Sequence, residues 1–431
     1  MALLEWGSRG VRRIREESQA LVSPRTQEDR NVRLLYVDMA LQGVVAAGAT
    51  AYLSVFAVRL GASPFLVGLL NSLPSLLLLL TAVPAGQYVT RQTSLRRVVV
   101  RSCVAFRLSY LLIALVPWLA PTWGGAAIVA IWALAAIPTN LVEVSVTAAL
   151  AEAVPPGRRA QVISTRFAIH ACVAAAALPA VGWVLDTVPF PIGYQLVFAG
   201  SFLAAMASTW VFSRVSIPDQ VVPRVQRPIP NAARLQIALS DLKQHRVFAL
   251  YLVSITVFRL GLTMPRPLWS LFWVNDLHLT DSQIGLATTV VYIFSIIGYF
   301  LWGRVASRRG HGPVLVAATL GLGMYPLVMG LAQGLPAVLL ASCFGGMFTA
   351  AYSLVTLNLI LALAPPAQRA NYAALNAVSL NSMALMGPLL GSALAESLDI
   401  RTAMLLAAAV RFLGGALFIV RPVLEEPSPQ R

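Results

Sequence analysis

Charge is scarce in this chain: 11% of its 431 residues are Asp, Glu, Lys or Arg, against 58% hydrophobic, and mean hydropathy is +0.74. So little charge excludes an ordinary soluble domain. Lysine is nearly absent, with Lys243 alone among the basic residues that are not arginine, a bias that fits a GC-rich genome and a bacterial inner membrane. The three cysteines, Cys103, Cys172 and Cys343, all stand in apolar runs without paired spacing, which excludes a disulfide framework or a zinc site. A G-x-x-x-x-G-K-[ST] loop, an H-E-x-x-H helix and a Ser/His/Asp arrangement are all missing, so ATP hydrolysis and enzymatic chemistry are not expected. Residues 1–33 lack the short apolar core and cleavage site of a signal peptide, so the first apolar span should serve as an uncleaved insertion signal.

What the chain has is apolar length. Runs of about 20 residues, enough to cross roughly 30 Å of hydrocarbon, are read near 34–59, 65–89, 97–118, 124–149, 162–184, 193–213, 247–274, 283–303, 313–333, 336–361, 372–395 and 402–420. Lys and Arg accumulate in short cytoplasmic loops, so the basic residues predict the orientation. With residue 1 inside, 25 of the 32 basic residues fall in cytoplasmic segments and only Arg59 and Arg401 fall outside. Arg107, Arg166, Arg259, Arg266 and Arg411 lie within spans. Both termini are therefore expected in the cytoplasm. The net charge of +15 follows from this topology and from attraction to anionic lipid, so nucleic acid is not expected as a partner.

The chain also reads itself twice. Ser54, Phe56 and Val58 recur as Ser270, Phe272 and Val274 at an offset of 216, and Gly68 and Gly86 recur as Gly285 and Gly303 at 217. Pro155-Pro156-x-x-Arg159-Ala160 returns as Pro365-Pro366-x-x-Arg369-Ala370 at 210. A period this long points to two homologous bundles of membrane helices, because solenoid repeats run roughly 20–50 residues. The expected fold is an all-α membrane protein with 12 transmembrane helices in two pseudo-symmetric six-helix bundles. Its expected parts are a tail over 1–33, a bundle over 34–213, a linker over 214–246, a bundle over 247–420 and a tail over 421–431. Leu3 to Val22 fits either a basic helix on the inner membrane surface or a solvated tail. Pro218, Pro223, Pro228 and Pro230 interrupt the linker, and Arg234 to His245 fits a short amphipathic helix.

Two loops carry a motif. Gly303-Arg-Val-Ala-Ser307-Arg308-Arg-Gly310 follows the eighth span, and Gly86-Gln-Tyr-Val-Thr90-Arg91, with Arg96 and Arg97 one step late, follows the second. Together with six spans on each side of a charged linker, this resembles the major facilitator superfamily, whose equivalent loops carry Gly-x-x-x-Asp-Arg-x-Gly-Arg-Arg. Both copies here lack the aspartate. The resemblance implies a cytoplasmic gate at Gly86, Arg91, Gly303, Arg308 and Gly310, with Thr90 and Ser307 leaving a hydrogen-bonded latch in place of a charged one. Read from residues alone, the arginines are equally topology markers. Pro179-x-x-Gly182 in the fifth span and Gly387-Pro388-x-x-Gly391 in the eleventh also resemble family features, and each supplies a bend or a tight crossing. The family's proton-coupling arginine in the fourth helix has no counterpart between Gly124 and Leu150.

In that family the first, fourth, seventh and tenth helices line the central cavity, and this ranks the intramembrane polar residues. A charge near a helix centre costs roughly 2.5–3.5 kcal/mol and needs a partner, a wet cavity or an escape to the interface. Arg259, close to mid-membrane, is the first candidate for solute contact, against a structural pairing. Arg266 stands between Met264-Pro265 and Pro267, where the helix should break; it lines the cavity or snorkels outward. Gln42, Asn140, Tyr352 and Asn358 offer neutral hydrogen bonds to a solute or between helices. Asp38, Glu143 and His170 are candidates for proton coupling. Glu143 is expected to pair with Arg166, Asp38 shares a face with Gln42, and His170 lies one turn from Arg166. Arg107 and Arg411 belong to helices outside the cavity, where structural pairing or lipid contact is expected.

The expected function is secondary active or facilitative transport of a small solute by alternating access, tilted by the five in-span arginines toward an anionic or amphipathic one. An apolar drug exporter and a non-transporting membrane sensor or scaffold are the alternatives. The expected partners are the solute, the bilayer and, through Asp38, Glu143 or His170, protons. Neither cofactor nor metal is expected, and a monomer is the default.

Overall fold

The apolar runs are helices in the computed structural model, which describes residues 26–218, 246–363 and 369–420. Among the described residues, twelve helices are long and apolar enough to cross a membrane, so the chain is a multi-pass membrane protein. They are α1 (Gln27–Arg59), α2 (Pro64–Thr90), α3 (Leu95–Leu119), α4 (Gly124–Ala153), α5 (Pro156–Thr187), α6 (Ile192–Ser213), α7, α8 (Asp281–Arg309), α9 (His311–Gly330), α10 (Leu335–Leu363), α11 (Arg369–Ser397) and α12 (Ile400–Val420). Helix α7 comes in pieces, Arg246–Thr263, then Arg266–Leu271 and a π turn over Phe272–Asp276. Leu3 to Val22, read as a basic helix or a solvated tail, and Arg234 to His245, read as a short amphipathic helix, lie outside the described residues, as do the tail 421–431 and most of the second Pro-Pro motif.

Local chemistry sets the ends. Helix α1 starts at Gln27, well before the apolar run at 34, because the Thr26 hydroxyl accepts the Asp29 N–H at 3.1 Å and caps it. Ser63 does the same for Leu66 at the start of α2. Helix α8 opens on a reciprocal capping box between Thr280 and Gln283. Gly310 links α8 to α9 at φ +80°, a left-handed conformation that a side chain would strain.

Two spans depart from regular helix where polar groups enter. Ser201 Oγ of α6 accepts the Ala49 N–H at 3.0 Å, and α1 widens there to a π turn over Ala46–Thr50. In α7, Pro265 and Pro267 lack N–H donors, and the helix stops at Thr263. The Thr263 hydroxyl lies 2.7 Å from the Met383 carbonyl of α11.

In the first half the helices pack as a ring: α2 on α4, α4 on α3, α3 on α6, α6 on α1, and α1 on α5. The second half repeats this ring, with α8 on α10, α10 on α9, α9 on α12, α12 on α7, and α7 on α11. The two bundles meet along α5 against α8 and α2 against α11. Even-numbered crossing brings residues 27 and 420 to one end, here the terminal end; the other is the distal end. One apolar core crosses the seam distally, joining Tyr52, Phe56 and Leu178 to Leu268, Phe272 and Ile284. Toward the terminal end the cores separate, one around Leu35, Val99, Val162 and Phe212, the other around Phe248, Tyr251, Val355 and Phe418.

Candidate functional site

The distal seam is tied at the start of α8. Asp281 accepts Arg59 Nη2 at 2.9 Å, Arg59 Nε at 3.2 Å and the Tyr194 hydroxyl at 2.7 Å on one carboxylate oxygen. Its carbonyl accepts the Tyr52 hydroxyl at 2.8 Å. Asp186 of α5 then accepts the N–H groups of Asp281 and Ser282 at 2.8 and 3.0 Å, so a carboxylate from one half caps a helix of the other, where anions are favoured. Close backbone approach makes this possible: a Cβ on Gly182 would lie 2.7 Å from Ser282 Cα. Further along, the Phe65 N–H donates to Glu396 at 3.0 Å. Arg59, Tyr52, Asp186, Tyr194 and Asp281 were not among the sequence candidates. Arg59 counted only as a basic residue outside, and the Thr280-x-x-Gln283 spacing, absent from the sequence expectations, is the signal that could have marked the start of α8.

Toward the terminal end, α1 and α4 part, and a cavity of about 910 Å³ opens within the first half. Its walls are mostly aliphatic or aromatic, with Asp38, Gln42, Arg107, Glu143, Arg166 and His170 among them. Asp38, buried, accepts Arg166 Nη2 at 3.3 Å and the Ser208 hydroxyl at 2.5 Å. Gln42 and Arg107 both donate to Ser208 Oγ at 3.1 Å, and Arg107 also donates to the Ala205 carbonyl. Five side chains on α1, α3, α5 and α6 thus form one network, which divides the cost of burying charge.

This corrects two sequence expectations. Arg166 pairs with Asp38, not Glu143, because α1 packs on α5 whereas α4 stands across the cavity. Glu143 is exposed to that cavity. Arg107 faces inward to the same cavity, since the network with α6 turns it away from lipid. His170 is half-buried in the wall.

In the second half Arg259 is 2% exposed. It donates to the Tyr352 hydroxyl at 3.3 Å, the Asn376 carbonyl at 3.1 Å and Ser379 Oγ at 3.3 Å. It therefore joins α7, α10 and α11 and is not presented to a solute in this conformation. Tyr352 is half-buried beside it. Arg411 is likewise spent, on the Gly261, Leu262 and Leu322 carbonyls. Arg266, just past the break in α7, is exposed. Asn140 links α4 to the Leu78 carbonyl and Thr81 hydroxyl of α2 at 3.2 and 3.0 Å, so its amide is engaged between helices. The Asn358 side chain lies outside what is described.

At the motif loops, an added Cβ on Gly86 or Gly303 would meet nothing within 4 Å, so neither glycine stands at a close helix crossing here. Thr90 and Ser307 donate to carbonyls of their own helices, Gln87 at 3.1 Å and Arg304 at 2.9 Å, in place of a latch between helices. Arg91 and Arg308 are exposed. Pro179 stays inside α5 and Pro388 inside α11. A Cβ on Gly391 would collide with the Met264 carbonyl, so this glycine, like Gly182, sits at a close crossing.

A family model described as Major Facilitator Superfamily matches residues 39–265 and again residues 251–431. Relatives named Multidrug resistance protein MdtG from Enterobacter lignolyticus and Klebsiella pneumoniae are 31% and 30% identical over 131 and 141 residues. These matches span about a third of each chain, 30% and 32% of this one and 31% and 34% of those. A mutant of the nucleoside transporter NupG superimposes with a TM-score of 0.69 at 12% identity, covering 92% of this chain and 99% of its own. An inward-facing, unoccupied bacterial homolog of the human lysosomal transporter Spinster gives 0.67 at 13%, covering 92% and 97%. Likeness at such identity shows the fold alone.

Proposed function

Since the chain belongs to the major facilitator superfamily, we propose that it is a secondary transporter that carries a small amphipathic solute by alternating access and is open here to the cytoplasm. One observation carries the reading. The hydrogen bonds around Asp281 and the shared apolar core lie distally, while the terminal ends of the halves have separate cores and a cavity of about 910 Å³ between α1 and α4. The basic loops support a cytoplasmic terminal end in an inner membrane. On this reading the bundles over 34–213 and 247–420 rock about the distal seam, with Gly182 at the crossing between them.

The arginine excess loses weight as evidence for an anion, because Arg107, Arg259 and Arg411 are bound to protein acceptors and Arg166 is paired with Asp38. What remains accessible is Glu143 and His170 in a mostly apolar wall, with Arg266 exposed in the second half, which suits a solute with an apolar body and one polar end. Asp38 and Glu143 supply the carboxylates for proton coupling: neutralising Asp38 would free Arg166, Ser208 and Gln42 to repack between α1, α5 and α6.

The test is thermal unfolding of the purified protein across anionic, cationic and neutral amphipaths, followed by flux of any stabilising compound in proteoliposomes. Stabilisation and flux by the same compound, both altered in Glu143→Gln or Arg266→Ala, are expected. A compound that stabilises and never crosses would sink the transport reading in favour of a membrane sensor.

A further inference from the structure

Between Asp38 and Glu143 the chain contains no Asp or Glu. Helices α2 and α3 therefore offer no carboxylate to Arg91, Arg96, Arg97 or Arg101. A second cavity, of about 400 Å³, lies between the terminal halves of α2 and α3 with α4 as its floor. Pro84 and Pro138 stand inside their helices at this place, and small residues such as Ala105 leave the space open.

The groove faces lipid, not solute. On α3, Val99, Cys103 and Arg107 line the solute cavity, whereas Arg101 and Ala105 line the groove. Arg101 and Ala105 are exposed and continue at i+7 and i+11 into Leu108 and Leu112, which are 43% and 46% exposed. An exposed apolar stripe along a membrane span is its lipid-contacting face. Arg101 sits about 9 Å along α3 from its start, at the depth where headgroups give way to acyl chains. Across the mouth stands Tyr88, itself half exposed, the residue type that favours this interface.

We propose that this groove binds one anionic glycerophospholipid of the inner leaflet. The phosphate is held by Arg101 with Tyr88 beside it, and an acyl chain lies along the groove past Ala105 toward Thr81 and Pro138. A snorkelling arginine needs no groove, and an apolar groove needs no arginine; both occur on one acid-free, lipid-facing surface. The assignment of leaflet rests on the cytoplasmic orientation of the terminal end. Because Gly86 and Arg91 lie on the same stretch of α2 and the turn after it, the lipid would brace the terminal end of the first half.

The experiment is native mass spectrometry with thermal unfolding of the full-length protein in detergent, titrated with phosphatidylglycerol, phosphatidylcholine or glycerol 3-phosphate. Phosphatidylglycerol should be retained and should stabilise more than phosphatidylcholine. Arg101→Gln should weaken it about fivefold, the weight of one basic side chain at an anionic surface. Ala105→Leu, which fills the groove and leaves the charge, should reduce retention of both lipids, and Arg96→Gln, exposed on another face, should leave them unchanged. Equal losses in Arg96→Gln and Arg101→Gln would mean diffuse attraction to a basic loop and overturn the site. Equal protection by glycerol 3-phosphate would make it a free phosphate site and overturn it too, as would retention that survives Ala105→Leu. If Arg101→Gln does not fold, Ala105→Leu decides alone.

Discussion

Arg59 at the end of α1 and Asp281 at the start of α8 join the two halves through a contact of 2.9 Å, and the same carboxylate oxygen also takes the Tyr194 hydroxyl. Neither residue lines the cavity of about 910 Å³; the pair ties the two halves together at the distal seam.

Arg59→Ala should therefore favour distal opening. The Arg59 side chain is 27% exposed, so solvent screens part of the interaction and the loss should be about 1–2 kcal/mol, a population change of roughly 5–30-fold. Labelling of a cysteine placed on the distal side of the cavity should speed up accordingly. Unchanged labelling would mean that the apolar core around Tyr52 and Phe56 suffices.

Arg166→Ala should destabilise the protein by about 3–5 kcal/mol, because it strands the buried Asp38 carboxylate. Asp38→Leu combined with Arg166→Leu should recover most of that loss in thermal unfolding. A double variant no better than the single one would show that Ser208 and Arg107 also depend on the pair.

Two arginines of the second half should behave oppositely. Arg411→Lys should lower stability by about 3 kcal/mol, since a lysine cannot reach three carbonyls with a planar fork. Arg266→Ala should leave the unfolding temperature nearly unchanged while altering the response to charged amphipaths. A large stability loss at Arg266 would assign it a structural bond and remove it from the solute path.

Gly182→Ala should open the distal seam, because the added methyl would meet Ser282 backbone at 2.7 Å. Gly86→Ala and Gly303→Ala have room in this conformation and should keep its stability. If these glycines pack closely only when the terminal end closes, both substitutions should slow flux. Flux at the wild-type rate would leave them as loop punctuation.

Much of the architecture was legible because it depends on one-dimensional quantities. Run length marked the spans, and a shared offset marked the two halves. Pro265 and Pro267 announced the break in α7. The site was less legible. Glu143 and Arg166 match in depth but lie on opposite sides of the cavity, and Arg259, which looks like a solute contact by depth, is enclosed by Tyr352, Asn376 and Ser379. Depth follows from position in a span, whereas the direction of a side chain follows from the rotation of its helix against neighbours far away in sequence.

The sequence by itself determined the number of helices, their division into two related bundles and the bias of basic residues toward one end, because the bilayer reads apolar length and loop charge. Only the tertiary structure decided that Asp38 takes Arg166, that Asp186 caps a helix of the other half and that the cavity is sealed distally. These depend on helix rotation, register and conformational state, and side chains more than a hundred residues apart meet only once packing has fixed all three.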